Sequence, residues 1–366
     1  MMSDSFLSHA GADRDASRLV DLARLEQWLD DAGVGSGPLE NVVPLAGGTQ
    51  NILLAFDREG ERYVLRRPPL FPQYDGNATI RREARFLTAL RGSDVPHPPI
   101  VADCPDHDVL GASFFVMKRI DGFNAHDRLP PLHAESARIQ RAMGFALVDG
   151  IVALGRIDPF AVGLGDIGRI DGYLDRQVPR WLKQLDDYRQ YEGWPGASGL
   201  PGVQTVADWL SAHKPQGFTP GIVHGDYHLS NVMFRPDGPE LAAIVDWELA
   251  SIGDPLVDLG WVVATWPGAE GPVPGTVGAH PWIGFPTAQE LVEHYGRNSP
   301  RDLSHIRWYA VLGCFRLGIL VEGTHARSFA GKADPAIGDR LHAQAVHLFD
   351  RASKLIAGNP PLSTID

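Results

Sequence analysis

Cysteine is almost missing from this chain: Cys104 and Cys314, far apart, are the only two in 366 residues. Two distant thiols make no disulfide framework. That excludes a small stapled scaffold and makes a reducing, cytoplasmic setting the expected one. Cations are also outnumbered, with 33 Lys and Arg against 45 Asp and Glu and a formal charge of −12. A nucleic-acid backbone or an anionic membrane surface is therefore not an expected partner. Long apolar runs are missing as well. The most apolar segment, Ile306 to Val321, carries Arg307 and Arg316. It is shorter than the roughly 20 residues a membrane span needs, and it reads as a buried helix. The opening stretch, Met1 to Ala16, has no basic start and no apolar core, and it holds Asp4, Asp13 and Asp15. No signal peptide is expected there. Nor does any Gly-Lys-Ser/Thr phosphate loop occur.

The remainder is an ordinary globular composition, 44% apolar and 21% charged. The length suits two lobes better than one simple core. Leu19, Leu22, Leu25, Trp28 and Leu29 recur at helical spacing and Gly33 supplies a stop, so residues 1–35 are expected to carry a helix packed on a small lobe. Over 36–120 the pattern predicts strands at Asn41–Leu45, Asn51–Phe56 and Tyr63–Arg66, with a hairpin turn at Asp57–Gly60. A helix follows, capped at Asn77 and running to about Leu90, then strands near Ile100–Val101 and at Ser113–Arg119. Beyond Asp121-Gly122, residues 121–366 turn mainly helical. Helices are predicted over Ala134–Leu154, Ile170–Tyr191, Val203–His213, Pro255–Thr265, Ala288–Tyr295, Arg301–Val321 and Pro335–Ile356. The Gly/Pro-rich stretch Pro267–Pro286 reads as a mobile loop or substrate lid. The fold class expected is α+β, a small antiparallel β lobe plus a larger mainly helical lobe, with a site between them.

The most telling residues are His224-Gly225-Asp226-Tyr227-His228-Leu229-Ser230-Asn231, followed by Ile244-Val245-Asp246-Trp247-Glu248. An Asp five residues before an Asn, with a second Asp closing a short apolar run, is the set phosphoryl transfer requires. Asp226 is the candidate catalytic residue: it orients the attacking hydroxyl and accepts its proton. Asn231 and Asp246 are the candidate Mg²⁺ ligands, since that ion favours hard oxygens and borrows the rest of its shell from phosphates and water. The alternatives are a turn Asp, a turn Asn and an N-cap, although no clear helix begins at Asp246. Glu248 reads as a solvated or supporting carboxylate, and His224 as a buried organiser of the loop that aims Asp226. His228 is assigned no chemistry.

Arg66 ends the third strand and Glu83 lies on the next helix. A cation on the α/β-phosphates, held by a helical carboxylate, would complete a nucleotide site. Arg67 takes that role if the strand register is shifted, and both Arg66 and Glu83 could be ordinary surface charges. Gly47, Gly48 and Thr49, between the first two strands, are candidates to cover phosphates with exposed backbone N–H groups, or form a simple turn. Phe114–Arg119 is either an alternating core strand or the place where adenine stacks, with main-chain bonds near Met117, Lys118 and Arg119. Asp254-Pro255 reads as a helix start, with Asp258 bracing the loop that carries Asp246. Trp181, Tyr188, Tyr191 and Trp194 line an acceptor pocket or sit in the core. Arg301, Arg307, Arg316 and Arg327 grip an anionic acceptor or are surface charge.

These motifs resemble the aminoglycoside phosphotransferase and choline kinase-like family, relatives of protein kinases. The likeness runs from about Val42 to Trp266. Tyr63-Val64-Leu65-Arg66-Arg67-Pro68-Pro69 looks like the branch that includes the kinase-like domain fused to some acyl-CoA dehydrogenases, thought to act on hydroxyacyl-CoA thioesters. The resemblance implies a bilobal protein-kinase-like fold, ATP and Mg²⁺ as cofactors, and transfer of the γ-phosphoryl group to a small-molecule hydroxyl. A hydroxyacyl-CoA-like acceptor is favoured over an aminoglycoside, because the part after about Pro267 shows no acidic cluster that ties to an aminoglycoside pocket. By the likeness Asp226 is catalytic, Asn231 and Asp246 hold the metal, and Arg66 with Glu83 serve the phosphates, although Lys is usual at position 66. The competing expectation is a catalytically silent nucleotide-binding or scaffold module. No oligomeric state is specified by the sequence.

Overall fold

A computed structural model describes residues 16–45, 51–70, 75–268, 278–358 and 362. In chain order its elements are α1 (Leu22–Asp31), β1 (Glu40–Pro44), β2 (Ile52–Arg58), β3 (Glu61–Arg67), α2 (Gly76–Ala89), β4 (Ile100–Cys104), β5 (Phe114–Lys118), β6 (Phe123–Asn124), α3 (Pro131–Ala134), α4 (Ala137–Gly155), α5 (Gln177–Asp187), α6 (Val203–Ala212), β7 (Gly221–Val223), β8 (Val232–Phe234), β9 (Leu241–Ile244), β10 (Ser251–Gly253), α7 (Leu256–Thr265), α8 (Ala288–Asn298), α9 (Ile306–Phe329) and α10 (Pro335–Ile356). They form two units. The first takes Met1–Gly122 and, by a later excursion of the chain, Ala242–Ala250. The second takes Phe123–Leu241 and Ser251–Asp366.

In the first unit five strands form an antiparallel sheet in the order β1-β2-β3-β5-β4. The β2–β3 hairpin closes over Glu59 and Gly60, both at positive φ (50° and 76°), the twist a two-residue turn needs. Period-2 alternation then sorts the side chains. Leu54, Phe56, Tyr63, Leu65, Phe114 and Val116 fall on one face and share a buried core with Leu25 and Leu29 of α1. The residues between them, among them Val64, Arg66, Phe115 and Met117, take the opposite face, where α2 buries Ile80, Glu83, Ala84, Phe86 and Leu87. Helix α1 is capped by Asp21, which accepts from the Arg24 amide at 3.1 Å, and ends before Gly33. Helix α2 is capped by Asp75 rather than the expected Asn77, whose side-chain oxygen instead accepts from the Ser113 amide at 2.9 Å. The bond to Ser113 takes Asn77 out of the competition.

The second unit is mainly helical, with β7 pairing antiparallel to β10 and β6 to β8. Helices α7 and α9 approach closely through glycine: a methyl on Gly260 would lie 2.4 Å from the Tyr309 backbone, and one on Gly313 2.8 Å from the Gly260 carbonyl. The helix expected over Ile170–Tyr191 begins only at Gln177. Before it the chain makes turns, with Gly172 at φ 65° and Arg176 bonded back to the Asp171 and Arg169 carbonyls. Helix α9 runs to Phe329, past the expected Val321, and α10 spans the expected Pro335–Ile356. Of the Pro267–Pro286 stretch, residues 269–277 lie outside the described residues. Its last part is tied down, Trp282 stacking on Phe285 at 4.1 Å and Pro286 accepting from the Trp266 indole at 2.7 Å. Among the described residues no helix is long and apolar enough to cross a membrane.

Candidate active site

In the second unit the segment after β7 is a built loop. Gly225 takes φ 89°, a value that favours glycine, and so turns the chain out of the strand. The buried carboxylate of Asp258, in the first turn of α7, accepts from the His224 amide at 2.7 Å and the Gly225 amide at 2.9 Å. Arg316 of α9 donates to the Gly225 carbonyl at 3.1 Å, its guanidinium lying over the rings of Trp261 (5.1 Å) and Trp181 (5.5 Å). Asn124 clamps the far end by donating to the carbonyls of Ser230 and Val232, each at 2.9 Å. Tyr227 buries its ring and donates to the Leu147 carbonyl of α4 at 2.8 Å.

What this frame presents is Asp226. The Asn231 amide donates to both the Asp226 carbonyl and its carboxylate, each at 2.9 Å, and the His228 ring lies 3.3 Å from the other carboxylate oxygen. His224 is fully buried and its Nδ1 faces the Asp226 amide at 3.4 Å. Burial alone would raise the Asp226 carboxyl. The charge and hydrogen bond of His228, with His224 and the Asn231 amide, outweigh it and hold the group at about 2. Asp226 is thus an ionised carboxylate, 29% exposed, held from both sides.

In the first unit alternation decides between the two arginines. Arg66 faces α2 and donates from Nε to Glu83 at 2.9 Å and from Nη2 to Asp246 at 2.8 Å. Arg67 takes the other face and donates to the Leu19 carbonyl at 3.3 Å. Burial would lower the Arg66 guanidinium, yet Glu83, Asp246 and Glu248 together hold it above its ordinary value. Burial pushes the Glu83 carboxyl up, and Asp246 adds to that, while Arg66 and the Trp247 amide pull back. Asp246 sits at φ 67°, a strained conformation for a non-glycine residue, ahead of a single 3₁₀ turn that its side chain does not cap. That turn is anchored on α2 by Arg82, which donates to the Glu248 carbonyl, and tied back to the end of β9 by Trp247, whose indole donates to the Ile244 carbonyl at 2.9 Å. Asn51 donates to Glu248 at 3.1 Å, so Glu248 is part of this polar cluster rather than solvated.

The remaining candidates are placed as follows. Met117 is half-buried on the face of α2. The Lys118 amide donates to the Pro99 carbonyl and the Arg119 amide to that of Arg62, so those two donors are engaged within the unit. Gly47, Gly48 and Thr49 lie outside the described residues. Asp258 braces the loop of Asp226, not that of Asp246 as the sequence suggested. Tyr188 is core, and Trp194 is buried with its indole on Glu322 at 2.8 Å. Arg301 and Arg316 donate to backbone carbonyls, and Arg316 is buried rather than surface charge. Sequence reasoning missed Asn124 and His228. Only the spacing of His228 from Asp226 hinted at its role, since residues two apart in a tight loop can share one ring.

Comparison with known proteins supplies the lineage. The model of the phosphotransferase enzyme family matches residues 41–291, well over half of the chain. The chain belongs to the phosphotransferase enzyme family. Mouse acyl-CoA dehydrogenase family member 10 is 28% identical over 82% of this chain, and chicken acyl-CoA dehydrogenase family member 11 is 26% identical over 85%. This phosphotransferase spans only 28% and 39% of those two proteins. Among solved structures, a candidate aminoglycoside phosphotransferase from Ralstonia eutropha superposes with a TM-score of 0.75 at 30% identity, covering 92% of this chain and 99% of that one. A thermostable mutant of aminoglycoside phosphotransferase APH(4)-Ia, solved with ADP and hygromycin B, gives 0.56 at 18% identity over 92% and 99%, a likeness of fold alone. The fold is the expected α+β one, an antiparallel sheet unit plus a helical unit, with aminoglycoside phosphotransferases as its structural neighbours.

Proposed function

We propose that this phosphotransferase moves the γ-phosphoryl group of ATP to the hydroxyl of a small molecule, and that a hydroxyacyl-CoA-like acceptor is preferred to an aminoglycoside. The observation that carries the reading is Asp226: an ionised, partly exposed carboxylate fixed by Asn231 and His228. Such a group serves mainly to aim an acceptor hydroxyl, taking its proton on a carboxylate oxygen late in a loose transition state. Positioning and charge neutralisation then carry most of the rate.

Mg²⁺ fits the chemistry of each proposed donor taken by itself. The Asn231 amide nitrogen is engaged on Asp226, which leaves its oxygen as the donor to a cation, and Asp246 offers a carboxylate. Both are hard oxygen ligands. When bound, the ion would neutralise charge on the phosphates. Arg66, steadied by Glu83, is assigned to the α/β-phosphates, and residues 36–120 to the nucleotide, with Gly47, Gly48 and Thr49 over the phosphates and the Met117–Arg119 segment beside adenine. Residues 121–366 are assigned to catalysis and the acceptor, with the enzyme acting in the cytoplasm. Preference for an acyl-CoA acceptor is supported by the two acyl-CoA dehydrogenase family relatives.

A silent nucleotide-binding module is the competing reading, and the direct Arg66–Asp246 bond is the feature that favours it. The test is incubation with γ-labelled ATP, Mg²⁺ and a pool of hydroxylated metabolites, hydroxyacyl-CoA esters beside aminoglycosides. Label on the hydroxyacyl-CoA is expected. Label on an aminoglycoside alone would refute the acceptor assignment, and label on nothing would favour the silent module.

A further inference from the structure

Glu322 is fully buried in the second unit, and among the described residues its only ion-pair partners are histidines. His325 Nδ1 lies 2.9 Å from one of its oxygens and His342 Nδ1 2.7 Å from the other. A buried carboxylate normally has a fixed cation beside it. Among the described residues no Lys or Arg forms an ion pair with it. Helix α9 puts Glu322 and His325 on one face at i and i+3, and α10 brings His342 up to them, the two imidazoles lying 4.3 Å apart between centroids.

We propose that Glu322, His325 and His342 form a transition-metal site of the zinc type, bridging α9 and α10. Four observations support it. One donor atom from each of the three residues falls within 4.8 Å of the others. Two imidazoles and one carboxylate are a recurrent three-ligand set for Zn²⁺, with a fourth position left for water. The Trp194 indole orients the carboxylate at 2.8 Å, and the exposed Asp339 lies 3.8 Å from His325 Nε2, the ring nitrogen away from Glu322, where a carboxylate steadies a metal-bound ring once it closes to a hydrogen bond. His342 is 26% exposed, which gives an ion a way in. A tetrahedral ion with bonds of roughly 2.0 Å keeps its donors about 3.3 Å apart, so the three donor atoms, which now span up to 4.8 Å with each imidazole on its own carboxylate oxygen, would draw in around one ion.

The site lies on the helix that also holds the Asp226 loop. Arg316 precedes Glu322 by fewer than two turns of α9 and bonds the Gly225 carbonyl. An ion here would pin that helix to α10.

The test uses the full chain, treated with chelator and titrated with Zn²⁺ by calorimetry in excess Mg²⁺. Magnesium occupies hard-oxygen groups but does not compete for imidazoles. One equivalent of Zn²⁺ should bind, and Co²⁺ should give the intense visible absorption of a tetrahedral site. His342→Ala should lose that equivalent and that absorption with its far-UV circular dichroism unchanged. Asp339→Asn, on an exposed residue that does not threaten folding, should weaken binding by roughly 10–100-fold. Absence of Zn²⁺ binding, or wild-type stoichiometry and affinity in both variants, would overturn the site and leave a hydrogen-bonded trio.

Discussion

Arg66 bonds Asp246 at 2.8 Å through Nη2 while its Nε holds Glu83 at 2.9 Å. One planar fork thus ties a strand, a helix and the strained residue after β9. Lysine has no such fork and offers a single point charge. The lysine usual in related enzymes is therefore not a conservative replacement here.

Removing the fork leaves Glu83, 2% exposed, as an unpaired buried charge. Arg66→Ala should lose about 3–5 kcal/mol of stability in chemical denaturation. Arg66→Met combined with Glu83→Gln should recover much of that, because no lone charge remains. A double variant no more stable than Arg66→Ala would show that the ion pair is not what costs stability.

Asp226→Asn keeps the size of the side chain and removes its charge. Turnover should fall by roughly 10²–10⁴, the usual contribution of a positioned acid–base group, while calorimetry still shows ATP binding. Wild-type turnover in this variant would remove Asp226 from the reaction.

Acid stability follows from the same carboxylate. Its folded value, about 2, lies below the ordinary Asp value of roughly 3.9. The bonds from His228 and Asn231 therefore stabilise the protein fully above about pH 4, and that stabilisation fades as pH drops toward 2. Wild-type protein should lose on the order of 2 kcal/mol more than Asp226→Asn between those limits. His228→Leu should show a smaller loss over the same span, since the largest favourable partner is gone and the folded value moves up toward the ordinary one. Identical acid-unfolding curves for all three proteins would contradict the arrangement.

Much of this was legible from local patterning. The third strand and the helix after it were readable, with Glu83 as partner to an arginine at the strand's end, but the choice between Arg66 and Arg67 waited on the register. Spacing within one loop exposed Asp226 and Asn231. Long-range closure was not legible. Nothing local says that Asp258 reaches back to the amides of His224 and Gly225, or that the 242–250 segment joins the first unit. Cap choice at α2 depended on Ser113, far along the chain, which takes up Asn77 and leaves Asp75 at the helix start. The residues before Gln177 have helical composition but end in turns, because bonds from Arg176 to two carbonyls satisfy the backbone without a helix. Glu322, His325 and His342 come from two helices, so no short motif announces them.

Asp258 offers a test of positioning separate from chemistry. Its carboxylate accepts two backbone amides of the loop and makes no contact with the Asp226 side chain. Burial pushes its carboxyl up, and His224, the two amides and Arg316 counter that. In Asp258→Asn one acceptor oxygen becomes an NH₂ donor facing an N–H donor, so at least one charge-assisted bond is lost and one polar group is left unsatisfied. A stability loss of about 1.5–3 kcal/mol is expected. Turnover should fall more than the affinity for ATP does, since a displacement of the Asp226 loop by about 1 Å is enough to cost roughly 10²-fold. If kcat were unchanged while stability fell, the loop would hold its geometry without Asp258, and Arg316 with Asn124 would be sufficient to aim Asp226.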